Sequence, residues 1–135
     1  MYKNCSSIRV RYSETDRMGF VYYGNYAQYY ETGRVEALRS LGLSYREMED
    51  AGIILPVIHF EINYFKPAYY DDVLSIETII PLMPDAKIRF DYTCFNQKEE
   101  ILNKGTTTLV FVNKQSNKPC RPPQQLSEYL KPYFR

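Results

Sequence analysis

From Ile53 to Asn113 the chain is a series of short apolar or alternating segments whose separating turns leave no room for a helix. Pro56 to Phe65, Val73 to Met83, Ala86 to Asn96 and Ile101 to Asn113 read as strands. Pro67, Asp71-Asp72, Pro84-Asp85 and Gln97-Lys98-Glu99 mark the turns between them. A parallel connection takes roughly a dozen residues or more, so the turns after Met83 and Asn96 permit only antiparallel neighbours. A doubly wound nucleotide-binding fold is therefore disfavoured, and the chain has no GxGxxG or Walker-type run.

Upstream, Ser7 to Tyr12 alternates Ile8 and Val10 with Arg9 and Arg11, the pattern of a half-buried strand. A loop from Ser13 to Gly24 follows, then a helix from Asn25 to Leu41, with Gly42 as its C-cap. Tyr26, Tyr29, Tyr30, Gly33, Ala37 and Leu41 recur at helical spacing and form one face, with Glu31, Arg34 and Arg39 off it. Glycine in a helix interior costs about 1 kcal/mol, so Gly33 predicts a backbone or sheet pressed close to it. Ser44 and Glu47 form a capping box for a second short helix that Gly52 closes. Gln115 to Lys118 makes another turn, and Pro122-Pro123 leads into a short helix, Gln124 to Tyr133. One strand, a long helix and four strands define an α+β fold, an antiparallel sheet with the helix on one face, in a single domain spanning 1–135.

The 17 basic and 16 acidic residues leave a net charge of +1, which offers nucleic acid no electrostatic footprint. The 14 Tyr and 7 Phe suit an amphipathic pocket or a subunit interface, and equally a sheet-rich fold. Cys5, Cys94 and Cys120 are odd in number and widely spaced, which argues against a disulfide framework or structural zinc and for a reducing compartment. The N-terminal MYKNCSSIRVRY lacks the apolar core of a signal peptide, and the apolar runs are too short to cross a bilayer. A soluble cytoplasmic protein, with no membrane insertion, is expected.

The segment Tyr12 to Glu36 holds the candidate chemistry. It places Asp16 in a loop that runs through Gly19 and Gly24 into the tyrosine-rich helix. A carboxylate facing a helix N-terminus suits acyl transfer. The acid can activate water or attack directly, and unpaired helix N–H groups can stabilise an oxyanion. Glu14 is an alternative base, expected to be solvated at a strand end. Tyr22 and Tyr26 are candidates for a pocket lining, against a plainer role in the core or a subunit contact. Asn25 reads more readily as a helix cap than as a substrate ligand. His59 is the only histidine and reads as structural, and no GxSxG nucleophile elbow occurs. Cys94 reads as strand packing. Lys66, Arg89 and the Lys114, Lys118, Arg121 cluster are candidates for phosphate contact, the cluster being explained as well by a solvated turn.

Residues Thr15-Asp16-Arg17-Met18-Gly19-Phe20-Val21-Tyr22-Tyr23-Gly24-Asn25-Tyr26 resemble the signature of the hot-dog-fold acyl-CoA thioesterases of the 4-hydroxybenzoyl-CoA thioesterase type, including the Tol–Pal-cluster enzymes. A second match runs from Ile62 to Ala68, through Lys66-Pro67. The resemblance implies a five-stranded antiparallel sheet wrapped around the long helix, assembled as a homodimer or homotetramer. It implies acyl-CoA bound at the dimer interface, Asp16 as general base or nucleophile, and the backbone N–H at Tyr23 polarising the carbonyl. Gly24, Tyr22, Asn25, Tyr26 and Lys66 are the expected substrate contacts, and neither cofactor nor metal is called for. Two other functions stay open: hydrolysis of acyl groups on acyl carrier protein, and non-catalytic acyl-thioester binding.

Overall fold

The chain, described over residues 1–135 by a computed structural model, runs β1 (Tyr2–Arg9), α1 (Tyr26–Leu41), α2 (Tyr45–Asp50), β2 (Ile53–Ile54), β3 (Val57–Tyr64), β4 (Val73–Ile80), β5 (Lys87–Phe95), β6 (Ile101–Val110), β7 (Val112–Asn113), β8 (Lys118–Pro119) and α3 (Gln124–Leu130). The order β1-β4-β5-β6-β3 makes a five-stranded sheet, antiparallel at every pairing, and β2-β7-β8 a small second one. Short 3-10 turns at Tyr12–Glu14 and Tyr23–Asn25 precede α1, and Lys131–Tyr133 follows α3. The expected α+β architecture is what forms.

Helix α1 packs across β1, β4 and β5. Alternation along β4 and β5 buries Leu74, Ile76, Ile80, Ile88, Phe90, Tyr92 and Cys94. Each large apolar side chain so placed contributes about 1.5–3 kcal/mol. Tyr30 is fully buried, its ring stacked on Tyr92 at 4.2 Å and its hydroxyl donating to Asn103 Oδ1 at 2.5 Å. Gly33 meets the sheet as its position predicts: a Cβ there would lie 2.6 Å from Thr78 Oγ1 and 2.8 Å from Ile76 Cγ2. The helix ends in a Schellman motif, with Gly42 at φ 104 and the N–H groups of Gly42 and Leu43 donating to Arg39 and Leu38 carbonyls.

Several boundaries differ from the sequence expectation. Strand β1 begins at Tyr2, not Ser7, because its whole length pairs with β4, from Tyr2 opposite Ile80 to Arg9 opposite Val73. It stops before Tyr12 because the Val10 N–H goes to Asp72 and the chain turns into a 3-10 helix. The segment Ile101 to Asn113 splits at Phe111, whose N–H donates to Ala86 and whose carbonyl accepts from Cys120. Strand β4 ends at Ile80, before Pro81, which cannot donate to a ladder. Arg34, expected on the charged face, is only 6% exposed because α2 covers it, and its Nε donates to Tyr45 Oη at 3.0 Å. Leu38 is the fully buried leucine of α1, while Leu41 is half-buried.

Strand β3 pairs with β6 and leaves its other edge free. Ile58, Phe60 and Tyr64 on it are 52%, 39% and 46% exposed. Phe60 lies 6.0 Å from the Tyr30 ring and Tyr64 stands opposite buried Asn103, so these two face the α1 side of the sheet, while Ile58 falls at a register shift between Val57 and His59. Phe60 and Tyr64 are exposed because α1 lies toward the β1 end.

Replacing Gly33 with alanine normally strengthens a helix, but here the added methyl meets two stiff β-branched side chains. Gly33→Ala should lower stability by about 1–3 kcal/mol in urea denaturation. A gain in stability would contradict the packing described.

Candidate active site

The loop before α1 is built by its own backbone. Asp16 N–H donates to Phe20 O at 3.0 Å, Gly19 N–H returns to Asp16 O at 3.0 Å, and Gly19 adopts φ 87. Asp16 Oδ1 accepts the Met18 N–H at 2.8 Å, an Asx turn that orients the carboxylate. Val21 N–H bonds Ala68 O, tying the loop to the segment after β3. Tyr22 N–H donates to Glu14 O, and Asn25 N–H to Tyr22 O. Tyr23 and Gly24, between them, give their N–H groups to no turn, loop or side-chain acceptor.

A cleft of about 460 Å³ opens here. The loop supplies Asp16, Met18, Phe20 and Val21, the helix start Tyr23 and Tyr26, the last residue of β3 Tyr64, and the turn after it Phe65, Lys66 and Pro67. Tyr64 stands edge-to-face with Tyr23 at 6.4 Å and with Tyr26 at 5.7 Å. Its hydroxyl donates to the Tyr23 carbonyl at 3.2 Å, which also accepts Tyr26 N–H. In a trans peptide the N–H points opposite the C=O, so holding that carbonyl also fixes the direction of the Gly24 N–H. Burial, first of all, raises the Tyr26 and Tyr64 phenols above their ordinary value, so both line the cleft as neutral groups.

Of the residues expected from sequence, the structure brings Asp16, Tyr23, Tyr26 and Lys66 to the cleft. Tyr22, Gly24 and Asn25 do not line it. The exposed Tyr22 ring packs on Tyr23 at 4.8 Å, and Gly24 leaves space for that ring. Asn25 makes no side-chain cap, since its Nδ2 donates to Glu14 O at 2.8 Å. Lys66 is ion-paired with Glu100 at 2.5 Å on the rim. Glu14 is the clearest departure: it is not solvated but 8% exposed, accepting from Arg11 and Tyr29. His59 is exposed beside Glu61, and Arg89 pairs with Asp91. Neither they nor Lys114, Lys118 and Arg121 line the cleft. Cys94 is fully buried, and burial pushes its thiol up to about 12, far from a nucleophilic thiolate. Tyr64, Phe65 and Phe20 join the site without standing out in the sequence as site residues. The signal for Tyr64 lies in the alternation Ile58, Phe60, Ile62, Tyr64, which puts it on the helix side immediately before Lys66-Pro67.

A sheet crossing one long helix, with a carboxylate and free amides at that helix's start, is the hot-dog arrangement of thioester hydrolases. The sequence profile of the thioesterase-like superfamily matches residues 10–130, and the chain belongs to that family. YneP of Bacillus subtilis, provisionally named an acyl-CoA thioesterase, is 36% identical over 121 residues, covering 90% of this chain and 88% of that one. The acyl-CoA thioester hydrolase YbgC of Escherichia coli is 30% identical, covering 88% and 89%. The crystal structure of a DHNA-CoA thioesterase from Staphylococcus aureus superposes with a TM-score of 0.87 at 34% identity, covering 98% of this chain and 87% of that one. The resemblance read from Thr15 to Tyr26 is borne out. No helix here is long and apolar enough to cross a membrane.

Burial alone would raise the Glu14 carboxyl, but the Arg11 N–H, the Tyr29 hydroxyl and the Arg11 guanidinium outweigh it and hold it below the ordinary 4.5. Such a group stabilises the fold fully above 4.5, and that contribution is lost as pH falls through its lower folded value. The Tm advantage of wild type over Glu14→Gln should therefore shrink between pH 7 and about pH 3. A gap that stays constant or widens on acidification would contradict the ionised, hydrogen-bonded Glu14.

Proposed function

We propose that this chain hydrolyses an acyl-CoA thioester to the free acid and CoA, with Asp16 and the amides of the Tyr23–Gly24 turn as the working groups. The observation that carries this reading is that Asp16 and the start of α1 line one cleft. A thioester carbonyl is electrophilic, and a thiol leaving group has a pKa of about 8.5, so it departs without strong acid assistance. The chemistry then needs two things: a carboxylate that activates water or adds to the carbonyl, and donors for the oxyanion. Asp16 supplies the first. The N–H groups at Tyr23 and Gly24, at the positive end of α1, supply the second.

The acyl group we assign is aromatic. Phe20, Tyr23, Tyr26, Tyr64 and Phe65 line the cleft, and edge-to-face contacts with a flat ring favour it over a long flexible chain. The working unit is a homodimer formed through β3. The free edge and the exposed row Ile58, Phe60, Tyr64 meet a second copy there, beside the cleft. Free Cys5, Cys94 and Cys120 fit a reducing cytoplasm.

Thiol release from acetyl-, hexanoyl-, palmitoyl- and benzoyl-CoA tests the activity and the acyl class together. Wild type should turn over benzoyl-CoA best, and Asp16→Asn should lose more than about a hundredfold in kcat. Equal activity of the two proteins would remove Asp16 from the reaction, and a sharp optimum for palmitoyl-CoA would contradict the aromatic assignment. On a sizing column with light scattering, wild type should run as a dimer or a multiple of one, and Ile58→Asp as a folded monomer. A monomeric wild type would contradict the β3 interface.

A further inference from the structure

We infer that Glu14 is a positioning residue for the reaction, a buried anion that fastens the Asp16 loop to the start of α1. The inference rests on the proposed roles of Asp16 and the Tyr23–Gly24 amides. Carboxylates in short turns ordinarily stay in water, and this one, closing the 3-10 turn Tyr12–Glu14, is 8% exposed. Its oxygens are filled from inside the chain. Oε1 accepts the Arg11 N–H at 2.8 Å and the Tyr29 hydroxyl at 3.0 Å. Oε2 accepts the Arg11 guanidinium through Nε at 3.3 Å and Nη2 at 3.1 Å. The Glu14 backbone carbonyl accepts two more, Tyr22 N–H at 3.0 Å and Asn25 Nδ2 at 2.8 Å.

One residue thus touches the chain before the loop (Arg11), the loop's return (Tyr22), the start of the helix (Asn25) and its first turn (Tyr29). Asp16 lies two residues after it, and Tyr23 and Gly24 lie between two of its partners. Glu14 does not itself line the cleft, and its oxygens are already occupied by donors, so it is no base for the substrate. Its ionised form holds Arg11 and Tyr29 more strongly than a neutral group would. A displacement of about 1 Å at a reacting group can cost on the order of a hundredfold in rate, so a fastener at this point governs kcat more than binding.

The test is Glu14→Gln and Tyr29→Phe, assayed with Asp16→Asn on the best thioester, with binding of a non-hydrolysable thioether analogue measured in parallel. Glu14→Gln should lower kcat by about tenfold to a hundredfold, and Tyr29→Phe by about threefold to tenfold. In both, KM and the analogue Kd should stay within about twofold of wild type. Wild-type kcat in both variants, with Asp16→Asn inactive, would overturn the positioning role alone. Equal losses in kcat and analogue binding would also overturn it, since they describe a collapsed cleft. Full activity in Asp16→Asn would instead sink the proposed base, whatever Glu14 does. Should Glu14→Gln fail to fold, Tyr29→Phe decides between the same outcomes, because it removes one oxygen and leaves the charge in place.

Discussion

At Gly33 the backbone of α1 lies against Ile76 and Thr78 of β4 with no space for a methyl group between them. That contact sets how deep the helix sits in the curve of the sheet, and its consequences run in both directions along the helix. Toward the C-terminus, Ala37 and Leu38 are buried and the Schellman cap at Gly42 turns the chain into α2. Toward the N-terminus, Tyr30 stacks on Tyr92 and Tyr26 meets Tyr64 at the end of β3. The helix start is therefore held against the sheet by packing, and interiors packed this densely resist small displacements. The amides that precede α1 inherit that rigidity.

The cleft has the features acyl transfer asks for, and the buried thiol and the sole histidine are withdrawn from it. Cys94 is buried as a neutral thiol, and His59 stands on the outer edge of the sheet. What the cleft keeps is one carboxylate oriented by the Met18 N–H, Lys66 on the rim, aromatic walls, and a helix N-terminus. The same stretch of chain holds both the proposed acid and the proposed oxyanion donors. Their separation is consequently a property of one loop and of the bonds that tie it to α1. Hydrogen bonds from Tyr64 to the Tyr23 carbonyl and from Asn25 to the Glu14 carbonyl hold this loop from opposite sides.

Much of this was legible in the sequence because it rests on local rules. Tight turns forced an antiparallel sheet, the three-and-four spacing of tyrosines marked the buried face of α1, and Gly33 announced a close approach. Asp16 stood out through its motif. What was not legible depends on distant partners. The polar stretch Lys3 to Ser6 has no apolar alternation, and it is a strand because β4 pairs with it. Arg34 and Glu14 look like surface charges in any local window, and both are buried, by Tyr45 in the first case and by Arg11 and Tyr29 in the second. Asn25 sits where a helix cap belongs, yet its side chain reaches back to Glu14, a contact that only the folded loop creates.

In the proposed reaction the thioester carbonyl lies against the amides at the start of α1 while Asp16 faces its carbon. Isotope-edited infrared spectroscopy of carbonyl-labelled benzoyl-CoA bound to Asp16→Asn reads that contact directly, because the variant keeps the thioester intact. A single carbonyl band moved to lower frequency than that of the same thioester in water is expected, as strong hydrogen bonding from preorganised donors requires. A bound carbonyl whose band stays at or above its position in water would contradict that contact.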